Sequence, residues 1–388
     1  MKLKIVIAPS GFKESLDSEE VARCIETGIR RVTPNAKVQC VPMVDGGEGF
    51  TKALVKLTNG KLHELKVTGP VGQPVDSHFG FLGGKGKRTA IIEMAAAAGL
   101  RLVPRDQRNP MRTTTYGVGE LIRAALDAGA ERLLIGCGDS GTNDGGAGII
   151  QALGGRLLDA DGNELGRGGS ELVKLTRIDL SGLDKRIRHL KIDVACNWHN
   201  VLCGPKGVAR VFGPQKGGTP ETVEQMAASL DNYAAVIQRD LGMDVRTIPG
   251  GGASGGMGAG IAAALGATLH PRWDIVMQYI DLNKLLKGAD MVFTAEGALD
   301  YQTPHGKVPT EVARRAKKYN LPVIALAGTV GRGAEANYES GIDAFTSILS
   351  APVTLETAIE NAEQYLTDCA ERVMRKILIG YRLARKSA

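Results

Sequence analysis

LKIVIAPSGFKESLDSEEVARCIETGIRRVTPNAKVQCVP, residues 3–42, is the stretch on which the fold turns. Leu3 to Ala8 is a short apolar run of strand length. Asp17 followed by Glu20 reads as a capping box ahead of Val21, Ile25, Ile29 and Val32, which repeat at helical spacing. Lys37 to Pro42 then reads as a second strand. The same alternation returns near the other end, in Asp290 to Ala295, a helix near Thr310 to Tyr319, Pro322 to Ala327 and Ala344 to Ile348. Both ends therefore predict parts of one parallel α/β sheet.

The middle of the chain has a different texture. Leu65 to Val67, His78 to Leu82 and Arg88 to Met94 are closely spaced strand-like runs, with turn signals at Gly69-Pro70, Gly72 and Gly83-Gly84 between them. The expected division is a discontinuous α/β domain over 1–61 plus 285–388, with a second α/β domain inserted over 62–284.

Composition bounds the function classes. The chain has 388 residues, 43% hydrophobic and 23% charged, which suits globular domains and argues against long disorder. Glycine occurs 51 times, well above the ordinary ~7%, and its clusters predict turns where backbone approaches a ligand. The net charge of +6 is spread along the chain, which favours small anions over nucleic acid. Six scattered cysteines suit reduced thiols. Pro9 interrupts the first apolar run too early for a signal peptide, and Ala259 to Leu269 is too short to span a bilayer. A soluble, cytoplasmic protein without nucleic-acid or membrane partners is expected; a homo-oligomer is compatible with the sequence.

In parallel sheets, ligands bind beyond the carboxyl ends of strands. Strand Leu3 to Ala8 runs into Pro9-Ser10-Gly11-Phe12-Lys13, and Lys37 to Pro42 into Asp45-Gly46-Gly47-Glu48-Gly49. Asp290 to Ala295 runs into Glu296-Gly297-Ala298-Leu299-Asp300, with His305 and Lys307 close behind. Lysines, carboxylates and glycines delivered to one edge fit phosphoryl transfer: carboxylates hold Mg²⁺ and orient a hydroxyl, lysine neutralises phosphate, and bare N–H groups cradle anionic oxygens. Asp45 is the expected hydroxyl activator, with Lys13 and Glu48 beside it in the catalytic set. Asp144 and Glu296 are the expected metal ligands. Ser10, Gly46, Gly47, Ser140, Asn143, Gly145, Asn197, Gly255, Gly256, His305 and Lys307 are expected to bind substrate or nucleotide.

Two glycine-rich segments leave alternatives open. Gly136-Cys137-Gly138-Asp139-Ser140-Gly141 matches G-x-G-x-x-G after a strand-like run, the pattern of a dinucleotide site, so an NAD(P)-dependent oxidoreductase is one alternative. The polar continuation to Gly148 reads rather as a phosphate or Mg²⁺ loop. The run Pro249 to Gly260, with Gly255 and Gly256, either presents a helix terminus to an anion or lets a helix pack closely. No Walker sequence and no G-x-S-x-G frame occurs. Cys196, His199 and Cys203 lack the spacing of a metal finger and read as ordinary thiols.

Taken together, several long phrases resemble the type I glycerate kinase family. They are Phe12-Lys13-Glu14-Ser15, Asp45 to Gly49, Ile92 to Ala96, Thr115 to Ile122, Thr142 to Gly148, Val211-Phe212-Gly213-Pro214-Gln215-Lys216-Gly217, Gly255 to Ala259, and Gln302 to Pro309. The resemblance runs through essentially the whole chain. It implies a flavodoxin-like domain, a second restriction-enzyme-like domain, and ATP- and Mg²⁺-dependent conversion of D-glycerate to 2-phosphoglycerate. The chain departs from the family pattern at Ser10-Gly11, Gly138 to Gly141, Asn197 and Ala298. Asn197 cannot take a proton, and the arginine usual at 298 would have offered a bidentate fork. These departures leave open a closely related sugar acid as substrate, or a catalytically inactive sugar-acid-binding protein.

Overall fold

The computed structural model describes residues 3–12, 15–43, 46–279, 282–304 and 306–387, with side chains described as far as 384. The strands in chain order are β1 (Lys4–Ile7), β2 (Lys37–Cys40), β3 (Lys61–Thr68), β4 (Pro74–Phe81), β5 (Thr89–Glu93), β6 (Arg132–Gly136) and β7 (Arg156–Leu158). They continue with β8 (Arg177–Asp179), β9 (Lys191–Cys196), β10 (Thr268–Pro271), β11 (Met291–Leu299), β12 (Val323–Val330) and β13 (Ala344–Ser347). The chain divides into two compact units, Met1–Val44 with Ile280–Ala388, and Asp45–Tyr279.

In the first unit the sheet order is β13-β12-β11-β1-β2, with every neighbouring pair parallel. Numbered along this unit alone, that is the 2-1-3-4-5 order of a flavodoxin-like sheet. Ile5, Val6 and Ile7 are fully buried, as a continuous apolar strand must be when both faces of a parallel sheet are covered. The first helix, Ser18–Val32, starts where the sequence predicts. Asp17 Oδ1 accepts the N–H groups of Glu19 and Glu20, and the Glu20 carboxylate accepts the N–H of Asp17. Its buried face, with Val21, Ile25 and Ile29, packs along the terminal helix Ala362–Ser387.

The second unit holds a six-stranded sheet in the order β10-β9-β6-β5-β4-β3. β5, β6, β9 and β10 are parallel, while β4 runs antiparallel to both β5 and β3. β7 and β8 form a separate short hairpin. The middle strands lie where the turn signals place them, but the boundary falls earlier than 62. Helix Phe50–Leu57 packs against β3, β4 and β5, and its buried Phe50, Leu54 and Val55 have their partners there. The stretch following Val44 therefore folds with the second unit, not with the first, and the first unit resumes at Ile280 rather than at 285. The helix at the glycine-rich run is Ala253–Leu265, and its first turn is interrupted by left-handed backbone at Ser254, Gly255 and Gly256.

Candidate functional site

In the first unit the chain leaves β1 toward β2 on one side, whereas β11, β12 and β13 extend on the other. The carboxyl ends of β1 and β11 therefore form the topological switch point, where loops diverge and leave a crevice. Ser10 sits there. Its N–H and its Oγ both donate to the carbonyl of Ala295, at 2.9 and 3.1 Å. Glu296 follows on β11, opposite Ala327 on β12, and is half-buried. Lys307 lies at the entrance to helix Val308–Lys317. Its Nζ donates to the carbonyl of Ala298 (3.2 Å) and to Asp300 Oδ1 (3.4 Å). Beside these groups an apolar pocket is lined by Phe12, Gly297, Gly328, Ile348, Leu355 and Ile359. Lys13, Asp45 and His305 lie outside the described residues.

In the second unit the loop after Asp45 crosses the carboxyl ends of β6 and β9. A Cβ on Gly46 would stand 3.1 Å from the Ala195 carbonyl oxygen, and one on Gly138 would stand 2.6 Å from the Gly47 Cα. Glycine at both positions is what lets the two loops pass. Glu48 forms an ion pair with Arg101, and its backbone N–H donates to Asp139 Oδ2 at 3.1 Å. Asp139 itself has a φ of +50°, a left-handed conformation uncommon outside glycine. Asn197 directly follows β9, and its Oδ1 accepts the N–H of His199 at 3.2 Å.

The segment Asn143 to Gly146 is buried throughout. Asp144 was expected to hold metal, yet it is fully buried and its carboxylate is saturated by the chain. Oδ2 accepts from Thr115 N (2.7 Å), Thr115 Oγ1 (2.9 Å), Thr114 Oγ1 (3.3 Å) and Gly148 N (3.3 Å), while Oδ1 accepts from Gly146 N (3.2 Å). Burial raises its pKa, and the Thr115 donors oppose that rise. Five donors and no exposed oxygen make Asp144 an anchor for the loop and for helix Ala147–Ala152, not a Mg²⁺ ligand.

Four more expected binding residues turn out to be wall. Asn143 is 1% exposed and donates to Met226 Sδ. A Cβ on Gly145 would stand 2.6 Å from the Tyr233 ring, one on Gly255 2.7 Å from Asn143 Cα, and one on Gly256 3.1 Å from Gly145 Cα. The glycine-rich run thus serves close packing, the second of its two readings. Nor does Gly141 open a helix. Its N–H donates to the Ala98 carbonyl, its own carbonyl accepts Thr113 Oγ1 at 2.9 Å, and the next helix begins only at Ala147. The dinucleotide pattern is a turn.

Four residues without an assigned role gain one from the geometry. Lys216 is 2% exposed, and its Nζ donates to Ser140 Oγ (2.9 Å) and to the Thr142 carbonyl (2.6 Å). Burial pushes this ammonium down to about 7, with Asp144 pulling the other way. Arg101 holds Glu48, and Arg108 packs on Gly217. Glu93, at the end of β5, accepts the N–H groups of Gly49 (3.1 Å) and Thr51 (3.0 Å) and so caps helix Phe50–Leu57. Burial pushes its carboxyl up to about 7 against those two donors. The signal for Lys216 and Glu93 lay in the phrases Val211 to Gly217 and Ile92 to Ala96, which carry no recognisable spacing of their own.

Burial pushes the thiols of Cys196 and Cys203 up to about 12, which suits inert packing. Among the described residues no group of three or more His, Cys, Asp or Glu could hold a metal. No helix of these residues is long and apolar enough to cross a membrane.

Comparison with known proteins agrees with this architecture. Residues 5–378 match the model of the glycerate kinase family. The chain is 50% identical over 383 residues to a glycerate kinase of Bacillus subtilis (strain 168), covering 99% of each chain. It is 46% identical over 382 residues to a glycerate 2-kinase of Escherichia coli (strain K12), covering 98% of this chain and 100% of that one. Among solved structures, a protein assigned as glycerate kinase 2 in Salmonella typhimurium LT2 superposes with a TM-score of 0.81 at 47% identity, covering 98% of this chain and 100% of its own. With the family pattern matched almost from end to end and the fold shared, the chain belongs to the glycerate kinase family.

Proposed function

We propose that this protein transfers the γ-phosphoryl group of ATP to the 2-hydroxyl of D-glycerate, giving 2-phosphoglycerate and ADP. The observation that carries this reading is the nearly full-length identity to proteins named glycerate kinase and glycerate 2-kinase. In the step, the bond from Pγ to the β,γ-bridging oxygen breaks and a bond from Pγ to the substrate O2 forms. The hydroxyl proton goes to a carboxylate, for which Asp45 is the proposed acceptor, and then to water.

The roles follow from what each unit offers. In the first unit, the apolar pocket with Phe12, Ile348, Leu355 and Ile359 suits a flat base, and Lys307, partly exposed beside Asp300, suits phosphate, with Lys13 and His305 proposed as further phosphate contacts. Glu296 is the remaining candidate for Mg²⁺ once Asp144 is removed from that role. A single carboxylate is a sufficient protein contribution, because Mg²⁺ keeps waters and takes nucleotide oxygens for the rest. When bound, the ion neutralises charge on the phosphates. In the second unit, the backbone at Gly46 and Gly47, with Ser140 and Asn197, offers neutral donors and acceptors for the hydroxyls of the acid. Arg101, 76% exposed at the side chain and held by Glu48, offers a guanidinium suited to a carboxylate.

The test is incubation with Mg-ATP and D-glycerate coupled to enolase, with no mutase present, following phosphoenolpyruvate absorbance. A signal is expected. Asp45→Asn should lower kcat by about 10²-fold or more. Silence with D-glycerate beside turnover of a longer aldonic acid would overturn the substrate, and an Asp45→Asn variant within a few-fold of wild type would overturn the role of Asp45.

A further inference from the structure

The loop that opens the second unit is pinned at three places. Gly46 lies against the ends of β6 and β9, where a Cβ would stand 3.1 Å from the Ala195 carbonyl oxygen, and Gly47 lies against Gly138. The Glu48 N–H is taken by Asp139 Oδ2. The third hold is Glu93, 2% exposed at the end of β5. Its Oε1 accepts the N–H of Gly49 at 3.1 Å and its Oε2 that of Thr51 at 3.0 Å, so one carboxylate secures both the end of the loop and the first turn of helix Phe50–Leu57. Asp45, the proposed acceptor of the hydroxyl proton, directly precedes Gly46 in the sequence.

Beside this carboxylate lies an acceptor left unused. β4 pairs with β5 with Phe79 opposite Ile92, which sets His78 across from Glu93 one step further along. His78 Nε2 is buried, has no hydrogen-bond partner among the described residues and lies 3.9 Å from Glu93 Oε2. A buried ring nitrogen is costly to leave unpaired, so a state of the protein that pairs it is favoured. Oε2 is also the oxygen that holds Thr51. A proton on Oε2 has His78 as its nearby acceptor, and a protonated oxygen accepts the Thr51 N–H more weakly than an ionised one does.

We propose that Glu93 is a positioning residue for the loop that follows the hydroxyl-activating carboxylate: ionised, it holds Gly49 and Thr51, and protonated, it donates to His78 and slackens the loop, which slows phosphoryl transfer. The proposal rests on the kinase reading. Burial pushes Glu93 up to about 7 and His78 down to about 4, so the exchange falls near neutrality with the proton on the carboxyl. Three charged groups face the pair. Glu48 adds to the rise at Glu93, Lys52 on the helix opposes that rise and depresses His78, and Arg101 in the turn Leu100–Leu102 also depresses His78.

The experiment measures ADP formed in quenched samples at saturating Mg-ATP and D-glycerate from pH 5.5 to pH 9, for wild type, Glu93→Gln and His78→Leu, each checked by thermal melt. Wild-type kcat should fall about tenfold as pH drops through a midpoint near 7. In Glu93→Gln the amide accepts only one of the two N–H groups well, so kcat should stay at the low value throughout, with both KM values within about two-fold of wild type. His78→Leu should move the midpoint down by about half a unit or more, because the protonated carboxyl loses its acceptor. Hydrogen exchange of the segment 46–57, corrected for the intrinsic rate, follows the same proton without turnover. It should be about fivefold faster at pH 6 than at pH 8 in wild type and indifferent to pH in Glu93→Gln. If Glu93→Gln does not fold, the wild-type exchange and the His78→Leu midpoint decide. A neutral limb that persists in Glu93→Gln, or wild-type exchange that does not change with pH, overturns the proposal and leaves the kinase reading standing. The expected exchange beside a wild type that turns over no sugar acid overturns the kinase reading and supports Glu93 as the proton-dependent hold on the loop.

Discussion

Replacing Glu93 by Gln should change how the stability of the second unit depends on pH, and the expected size follows from two buried groups. Burial pushes the Glu93 carboxyl from its ordinary 4.5 up to about 7. His78, whose Nε2 lies 3.9 Å from Glu93 Oε2 and has no hydrogen-bond partner, is pushed by burial from 6.5 down to about 4. For the acid with its raised value, the folded state keeps a proton that the unfolded chain loses, so its contribution falls as pH rises from about 4.5 to 7. For the base with its lowered value, the unfolded chain holds a proton that the folded state has lost, so its contribution grows as pH rises from about 4 to 6.5.

Between about 4.5 and 6.5 the two effects cancel. The folded pair binds one proton, on Glu93, and the unfolded pair binds one proton, on His78. Glu93→Gln removes one side of this balance. The variant should then gain stability relative to wild type at about 1.4 kcal/mol per pH unit, roughly 3 kcal/mol across the window. Superimposed on this is a nearly constant loss of about 1–3 kcal/mol, because an amide can accept only one of the Gly49 and Thr51 N–H groups well. Urea unfolding at pH 4.5, 5.5 and 6.5 followed by tryptophan fluorescence reads this unit selectively, since both tryptophans, Trp198 and Trp273, lie within it. Parallel stability curves for the two proteins would refute the reasoning.

Asp144→Asn should destabilise the second unit by about 1–3 kcal/mol in the same assay, because one of its five donors must face an NH₂ group, while the Mg²⁺ requirement of turnover stays unchanged; a Mg²⁺ defect at normal stability would restore a metal role. Gly255→Ala places a Cβ 2.7 Å from Asn143 Cα at a φ of +70° and should cost about 2–4 kcal/mol, and an unshifted melt would show that the wall is loose. Burial would raise the Asp193 carboxyl, but Arg132 and His270 hold it below its usual range. Arg132→Met should accordingly cost about 3–5 kcal/mol near neutral pH and less as pH falls toward 4, which unfolding at pH 4 and pH 7 checks. Ile359→Glu, at the apolar pocket, should raise KM for ATP at least tenfold with KM for the acid unchanged if the base sits there; equal effects on both would place the base elsewhere.

Regular elements were the most legible part of the chain, since their signals are local. The Asp17–Glu20 capping box and the spacing of Val21, Ile25 and Ile29 each lie within a few turns of the backbone, and the helix begins where they say. Strand-end loops were legible for the same reason: a run of β-forming residues followed by Pro-Ser-Gly or Gly-Gly marks where a parallel strand stops. The domain boundary was less so. Helix Phe50–Leu57 follows the first β-α-β stretch without a break in composition, and only the surface it covers on β3, β4 and β5 shows which unit owns it.

By itself, the sequence determined the α/β class, the parallel strands with their helix caps, and the loops from which a phosphoryl-transfer site could be built, because periodicity and capping are set by neighbours within about four residues. Which side chains in those loops meet a ligand was decided by tertiary structure alone. Asp144 reads like a metal carboxylate until Thr114 and Thr115, about thirty residues earlier, enclose it. Lys216 stands in a phrase that shows no role for it until Ser140 and Thr142, more than seventy residues away, take its ammonium. A loop has no period to reveal which way a side chain points, so burial by distant segments decides between ligand and scaffold.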